Sequence, residues 1–146
     1  MIKTKSIYSP IDESDGLRVL ITRFYPRGVK REKYDIWIRP LSPSAELLKK
    51  FKNSDIIWED FKSSLLEEIC TNIDSVEAIR TLHMYNTTQD ITLLCYEKDG
   101  SPCHRYMVRD LIENPGILES NFVSKYINQK PHFIIHDSDE ENLIIP

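Results

Sequence analysis

The residues best suited to chemistry lie in one stretch, LLCYEKDGSPCHRYMVRDLI, at positions 93–112. Glu97 follows an apolar run, and Cys103 and His104 stand where a helix is expected to begin. A thiol at a helix start can become a reactive thiolate, because exposed amides and the helix dipole favour negative charge there. A carboxylate beside an imidazole can transfer protons or orient its partner. We therefore predict Glu97, Cys103 and His104 as catalytic candidates.

Other interpretations of the cysteines compete with this one. Cys103, Met107 and Leu111 recur at helical spacing, so Cys103 could instead be a small buried packing residue. The interval from Cys103 to Arg109 matches the Cys-five-Arg count of cysteine phosphatases, but its five residues, HRYMV, contain no glycine and look helical, so they cannot wrap amides around a phosphate. A redox pair of Cys95 and Cys103 is geometrically possible but lacks a Cys-x-x-Cys signature.

A metal site is not predicted. Zinc usually takes four ligands in close pairs. Cys95, Cys103 and His104 supply three at an unusual spacing, and Cys70 is a distant fourth. Three cysteines are an odd and sparse set, which argues against a disulfide framework and indicates free thiols. The sequence leaves the cofactor unknown and metal dependence open.

Three arginines suggest an anionic ligand. Arg105 offers a planar guanidinium that matches phosphate or carboxylate. Arg23 and Arg27 follow the apolar run RVLIT. If that strand lies beside ITLLCY, all three guanidiniums converge near His104 at the carboxyl edge of the sheet, where open α/β sheets bind ligands. We predict Arg23, Arg27 and Arg105 as anion-binding residues, with a nucleotide or a phosphorylated metabolite as the ligand class.

The elements expected to position these residues alternate in type. RVLIT, YDIWIRP and ITLLCY indicate strands, and the continuous apolar character of ITLLCY suits a central strand covered on both faces. Trp58, Phe61, Leu65 and Ile69 form one helical stripe. Helices are expected to start at Ser42 and Pro43, at Asp74 with Glu77 as a capping box, and at Ser101 and Pro102, the last ending near Asn114.

This order predicts an α/β fold in a small single domain, with a mostly parallel central sheet and helices on both faces. The length of 146 residues fits one domain. We assign residues 1–117 to the α/β domain and residues 118–146 to a C-terminal extension with a possible edge strand, HFIIH, and an acidic turn, DSDEE.

Charge and hydropathy bear on partners. Residues 18–52 hold ten lysines and arginines against three acidic residues, although the chain has a net charge of −4 and a pI near 5.6. Nucleic-acid binding through this segment, with Tyr25, Tyr34 and Trp37 as stacking platforms, is therefore a less favoured alternative. A non-enzymatic interaction module that docks through its tail is another alternative.

No apolar run approaches the roughly 20 residues of a membrane span, and the N-terminus lacks a signal-type apolar region, so a cytoplasmic location without membrane contact is expected. The oligomeric state stays open.

Four motifs together resemble a known family. LRVLITRFYPRGV, WIRPLSPSAEL, WEDFKSSLLEEI and ITLLCYEKDGSPCHR, in this order, are similar to the uncharacterised domain family 488, the YeaO-like group, over roughly residues 5–114. The resemblance implies a compact α/β domain and supplies no reaction. The family pattern falls on these residues: Arg23, Pro26, Arg27, Gly28, Leu41, Pro43, Ser44, Cys95, Glu97, Cys103, His104 and Arg105. Thr22, Tyr25 and Ser42 depart from it, standing where aspartate, tryptophan and alanine are usual.

Overall fold

A four-stranded parallel sheet forms the centre of the molecule. A computed structural model describes residues 1–98 and 100–119. The strands are β1 (Ile2–Ser6), β2 (Leu17–Leu20), β3 (Ile36–Trp37) and β4 (Ile91–Cys95), in the spatial order β1-β4-β2-β3. β4 pairs in parallel with both β1 and β2, so the predicted neighbourhood of RVLIT and ITLLCY is confirmed. All five β4 residues are buried, as the apolar run predicted.

Side chains alternate between the two faces of this sheet. Val19, Ile91 and Leu93 point into the main core, which also contains buried residues of all four α-helices. Leu20 and Leu94 point to the opposite face, where they pack with a smaller group: Ile7, Tyr34 and Trp37. Short 3-10 helices at Glu13–Asp15 and Arg31–Lys33, with loops, accompany this second face. The α/β class and the parallel sheet are confirmed, with the four α-helices sharing one face.

Among the described residues, three α-helices lie between β3 and β4 in the chain and a fourth follows β4. They are α1 (Ala45–Lys52), α2 (Trp58–Cys70), α3 (Ile73–Tyr85) and α4 (His104–Glu113). Phe61, Leu65 and Ile69 are buried, as their helical spacing predicted, and Trp58 packs partly buried against the same core. None of the helices in residues 1–98 and 100–119 combines the length and apolar character that crossing a membrane requires.

Three expected helix starts were wrong by one to two residues. α1 is capped by Ser44 rather than Ser42, because Arg39–Leu41 forms a 3-10 helix and Ser42 closes that turn on the Arg39 carbonyl. α3 is capped by Asn72, whose side chain accepts from the Asp74 amide, so the predicted Asp74 capping box is absent there. α4 has Cys103 at its N-cap.

The predicted strand HFIIH and the acidic turn DSDEE lie outside the described residues. The assignment of residues 118–146 as an extension stays a prediction.

Candidate functional site

Four side chains meet where β4 ends and α4 begins. The Sγ atoms of Cys95 and Cys103 are 2.8 Å apart. Glu97 Oε2 lies 2.5 Å from Cys95 Sγ and 3.4 Å from Cys103 Sγ. His104 Nδ1 is 3.9 Å and 3.8 Å from the same two sulfurs. We call these four residues the thiol cluster, and it joins the three predicted catalytic residues to Cys95.

Local sequence explains how the chain brings the cluster together. Cys95 is the last residue of the fully buried central strand, so its thiol is fixed at the carboxyl edge of the sheet. Glu97 follows two residues later, and the chain then returns to Cys103, the N-cap of α4. Cys95 and Cys103 are 0% and 3% exposed, whereas Glu97 is half-buried. The carboxylate therefore lies between the buried thiols and the surface.

His104 is oriented by the neighbouring strand. Its Nε2 lies 2.5 Å from the carbonyl oxygen of Ile21, just beyond the end of β2. A carbonyl only accepts, so Nε2 carries the proton and donates it. Nδ1 is thereby turned towards the two sulfurs. This bond also ties the start of α4 to the chain segment that leads to Arg23.

Arg105 holds the turn that carries Glu97. Its side chain is completely buried, and one terminal nitrogen donates to the Glu97 carbonyl at 2.8 Å while the other donates to the Lys98 carbonyl at 2.9 Å. The Tyr106 hydroxyl is a further partner at 3.2 Å. The guanidinium thus faces the protein backbone, and its role in binding an external anion stays a prediction.

The cluster separates the pKa values of its two thiols. The pKa of Cys103 is lowered to about 6, first because the Cys95 thiol donates to its sulfur and second because His104 stabilises the thiolate. The pKa of Cys95 is raised, because its proton is held in that same bond and because the residue is buried. Burial opposes charge on His104, but the contacts with Cys103 and the Ile21 carbonyl outweigh it and raise the pKa of the imidazole. Both shifts act in the direction of a thiolate on Cys103 and a proton on the imidazole.

The other two candidate arginines, Arg23 and Arg27, lie in the segment that follows β2. Arg23 is half-buried and donates to the carbonyls of Pro43 and Ser42 at 2.9 and 3.3 Å. It lines a cavity of about 310 Å³ together with polar residues that include Ser44, Glu68, Asn72 and Ser75. Burial, assisted by the nearby Arg39, lowers the pKa of Arg23, while Glu68 opposes the shift. Arg27 is exposed. Arg23 and Arg105 bind different backbone carbonyls, and the predicted convergence of all three guanidiniums is not observed.

The aromatic residues proposed for stacking with nucleic acid serve as packing groups. Tyr34 and Trp37 are 7% and 8% exposed, and the partly exposed Tyr25 packs edge-on against both rings. The Trp37 indole also donates to the Thr22 carbonyl at 2.7 Å. Two of the three rings are therefore unavailable as open platforms in this conformation, which removes the main support for that alternative.

The structure can be compared with two interpretations of Cys103, as a phosphatase cysteine and as a packing residue. The five residues between Cys103 and Arg109 are helical, as expected, so no loop of amides encircles a phosphate there. Cys103 is buried, as the packing interpretation required, and its sulfur also contacts the Cys95 thiol and the His104 imidazole. Sequence reasoning left Cys95 out of the candidate site. Its place at the end of the best-defined strand, directly before Glu97, was the signal that could have included it.

Comparisons with known proteins agree with this architecture. A family model described as DUF488-N3a, the active DUF488-N3 subclade, matches residues 2–116. Escherichia coli uncharacterized protein YeaO is 28% identical over 115 residues, which cover 77% of this chain and 97% of that protein. Mycobacterium tuberculosis uncharacterized protein Rv3073c is 30% identical over 70 residues, 47% of this chain and 59% of that protein. No solved structure gives a significant match.

Proposed function

This chain belongs to the DUF488-N3a family, and on that premise we propose that the thiol cluster is the reaction centre of an enzyme acting on a small anionic substrate. The observation that carries the proposal is the placement of Cys103 Sγ within 2.8 Å of a second thiol and 3.8 Å of an imidazole nitrogen, at the carboxyl edge of a parallel sheet. The description of the family model as an active subclade supports a catalytic rather than a purely structural interpretation.

Cys103 serves as the nucleophile. Its sulfur attacks an electrophilic centre of the substrate, a sulfur–substrate bond forms, and the bond to the leaving group breaks. His104 supplies a proton to the leaving group and is held in place by the Ile21 carbonyl. The Cys95 thiol donates to the Cys103 sulfur, which stabilises the anionic form before attack. The Glu97 carboxylate oxygen lies 2.5 Å from Cys95 Sγ and can receive a proton that the cluster releases.

The substrate class follows from charge. Arg23 lies two residues beyond the carbonyl that binds His104, and the exposed Arg27 follows in the same loop. Arg23 lines a polar cavity of about 310 Å³ and Arg27 is exposed, and guanidiniums favour a phosphate or carboxylate group, so we propose a nucleotide or phosphorylated metabolite as the substrate class. Arg105 acts as a positioning residue, because its guanidinium holds the turn around Glu97 from inside the protein.

Site-resolved alkylation tests the nucleophile. The protein is treated briefly with iodoacetamide near pH 7, and modified cysteines are identified by peptide mass spectrometry. Cys103 should react at least about tenfold faster than Cys70, because burial raises the pKa of the Cys70 thiol to about 11. The Cys95→Ser variant should react more slowly at Cys103 than the wild type does. Equal rates at Cys103 and Cys70 in the folded protein would contradict the assignment.

A ligand screen tests the substrate class. Nucleotides and sugar phosphates are added to the wild type, and the thermal midpoint is measured. A ligand at 100 times its Kd should add about 2.7 kcal/mol of stability. The shift should fall in the Arg23→Gln and Arg27→Gln variants and persist in Arg109→Gln, where an exposed arginine of α4 is changed. A shift that survives in both loop variants would place the anion elsewhere.

A further inference from the structure

The thiol cluster has the composition of a site for a soft metal ion. Sγ of Cys95, Sγ of Cys103 and a ring nitrogen of His104 all lie within 4.8 Å of one another, and all three residues are buried. The Glu97 carboxylate lies within 3.4 Å of both sulfurs and provides a fourth donor. Two sulfurs, one imidazole and one carboxylate are ligands that zinc accepts in a tetrahedral arrangement.

We propose that Cys95, Cys103, His104 and Glu97 bind one Zn²⁺ ion, and that the bound ion blocks the thiol chemistry of the site. The metal site stands on the donor geometry alone. Its inhibitory consequence rests on the proposed function, because a sulfur bonded to zinc is not available to attack a substrate. The predicted absence of a metal site came from sequence spacing, which left the fourth ligand unidentified.

His104 is oriented like a metal-binding histidine whose other ring nitrogen already donates a hydrogen bond to the protein. Metal-bound histidines usually donate the other ring N–H to a carbonyl or carboxylate, which fixes the tautomer and turns the free nitrogen to the metal. His104 Nε2 donates to the Ile21 carbonyl, and Nδ1 faces both sulfurs. Arg105 similarly fixes the Glu97 backbone through its carbonyl at 2.8 Å.

Small movements convert the cluster into a coordination sphere. With zinc–sulfur bonds of about 2.3 Å, two tetrahedral sulfur ligands stand about 3.8 Å apart. The two sulfurs are now 2.8 Å apart and Glu97 Oε2 is 2.5 Å from Cys95 Sγ, so one thiol and the Glu97 carboxylate must each move by about 1 Å. Cys103 is the sulfur that can move, because it follows the exposed residues Gly100 and Pro102, whereas Cys95 is fixed in the central strand.

Charge also favours a cation at this point. Metal binding deprotonates both thiols, so two thiolates and a carboxylate surround the ion. A divalent ion neutralises two of these three charges, and the adjacent buried Arg105 guanidinium faces the remaining one through the Glu97 turn. Thiolate ligands select zinc over magnesium or calcium, which prefer oxygen.

Cobalt substitution tests the site directly. Reduced protein is treated with a chelator, desalted and titrated with Co²⁺, whose thiolate charge-transfer and tetrahedral ligand-field bands are followed by absorption. We expect one Co²⁺ per chain, displaced by one Zn²⁺. Cys103→Ser and His104→Gln should each weaken binding by about a hundredfold or more, whereas Cys70→Ser, a buried cysteine of α2, should match the wild type. Absence of thiolate bands in the wild type, or equal bands in Cys103→Ser, would overturn the proposal.

A second measurement avoids variants that fold poorly. Wild-type protein is alkylated with and without one equivalent of Zn²⁺. Zinc should suppress modification of Cys103 by at least about tenfold and leave Cys70 unchanged, and an unaltered Cys103 rate would overturn the proposal. If Cys103 reacts in the metal-free protein but no metal binds, this inference fails and the proposed function stands. If zinc binds but metal-free Cys103 is inert, the reaction centre fails and the metal site stands.

Discussion

Replacing Arg105 with methionine should destabilise the protein strongly, although the sequence alone suggests an anion-binding residue rather than a structural one. The side chain is 0% exposed, and its two terminal nitrogens donate to the Glu97 and Lys98 carbonyls at 2.8 and 2.9 Å. Methionine keeps the length of the stem but removes every donor, so the change leaves the backbone of the Glu97 turn without those bonds.

The size of the effect follows from the bonds that are lost. A hydrogen bond to a charged group contributes about 1.5–3 kcal/mol. Two such bonds give about 3–6 kcal/mol, which overlaps the roughly 3–5 kcal/mol expected when one partner of a buried charged interaction is removed. Total stability of a domain is about 5–15 kcal/mol, so a substantial share is at risk. For a chain of this length the thermal midpoint should fall by about 10 °C.

Urea unfolding of the wild type and of Arg105→Met measures the difference. Arg109→Met is the matched control, because Arg109 lies on the same helix and its half-exposed guanidinium pairs with the adjacent, exposed Asp110 and lies 5.6 Å from the Tyr106 ring centre. Its effect should be within about 0.5 kcal/mol. Hydrogen exchange should show the earliest loss of protection around Glu97 and Lys98. A loss below about 1 kcal/mol for Arg105→Met would refute the positioning role and return Arg105 to the list of ligand-binding candidates.

Three further changes test other parts of the structure. Gly16→Ala should cost about 2 kcal/mol or more in thermal unfolding, because Gly16 has φ +65° and an added Cβ would lie 2.2 Å from a backbone oxygen. Asp15→Asn should cost about 3 kcal/mol near pH 7, because Asp15 is buried against Arg18. The pKa of Asp15 is lowered by its partners despite burial, so this contribution is present above about pH 4 and is lost as the pH falls through the folded value; the two proteins should converge in acid. Ser44→Ala should cost about 1 kcal/mol by removing the α1 cap and the bond to Glu68, measured against Glu68→Gln.

The central strands β4 and β2, which are mostly buried, could be predicted from the sequence, whereas the edge strand β1 could not. β4 is a continuous apolar run, and its neighbour β2 is almost equally apolar. β1 was missed because Lys3 and Lys5 alternate with the other residues of an edge strand, and this polar pattern hides the pairing with β4. Lys5 reaches the buried Asp15 carboxylate, a contact that lies ten residues away and has no local signal.

For the candidate site, the positions of the residues could be predicted but the directions of the long side chains could not. Helix and strand ends placed Glu97, Cys103 and His104 together, since a strand end and a helix start are both visible in the local sequence. The direction of a long side chain is not visible there. Arg105 turns inward to backbone carbonyls, and Arg23 turns to the Ser42–Pro43 turn, because each satisfies carbonyl groups that only the folded chain presents.

The strand order β1-β4-β2-β3 also constrains how the chain can fold during synthesis. β1 and β2 are made first, yet they are not neighbours, because β4 lies between them and pairs with both. No part of the β1 edge can therefore find its partner until residues 91–95 have left the ribosome. Such pairing between distant segments slows folding. A nascent chain arrested before Ile91 should stay sensitive to protease, and protection should appear abruptly once β4 emerges.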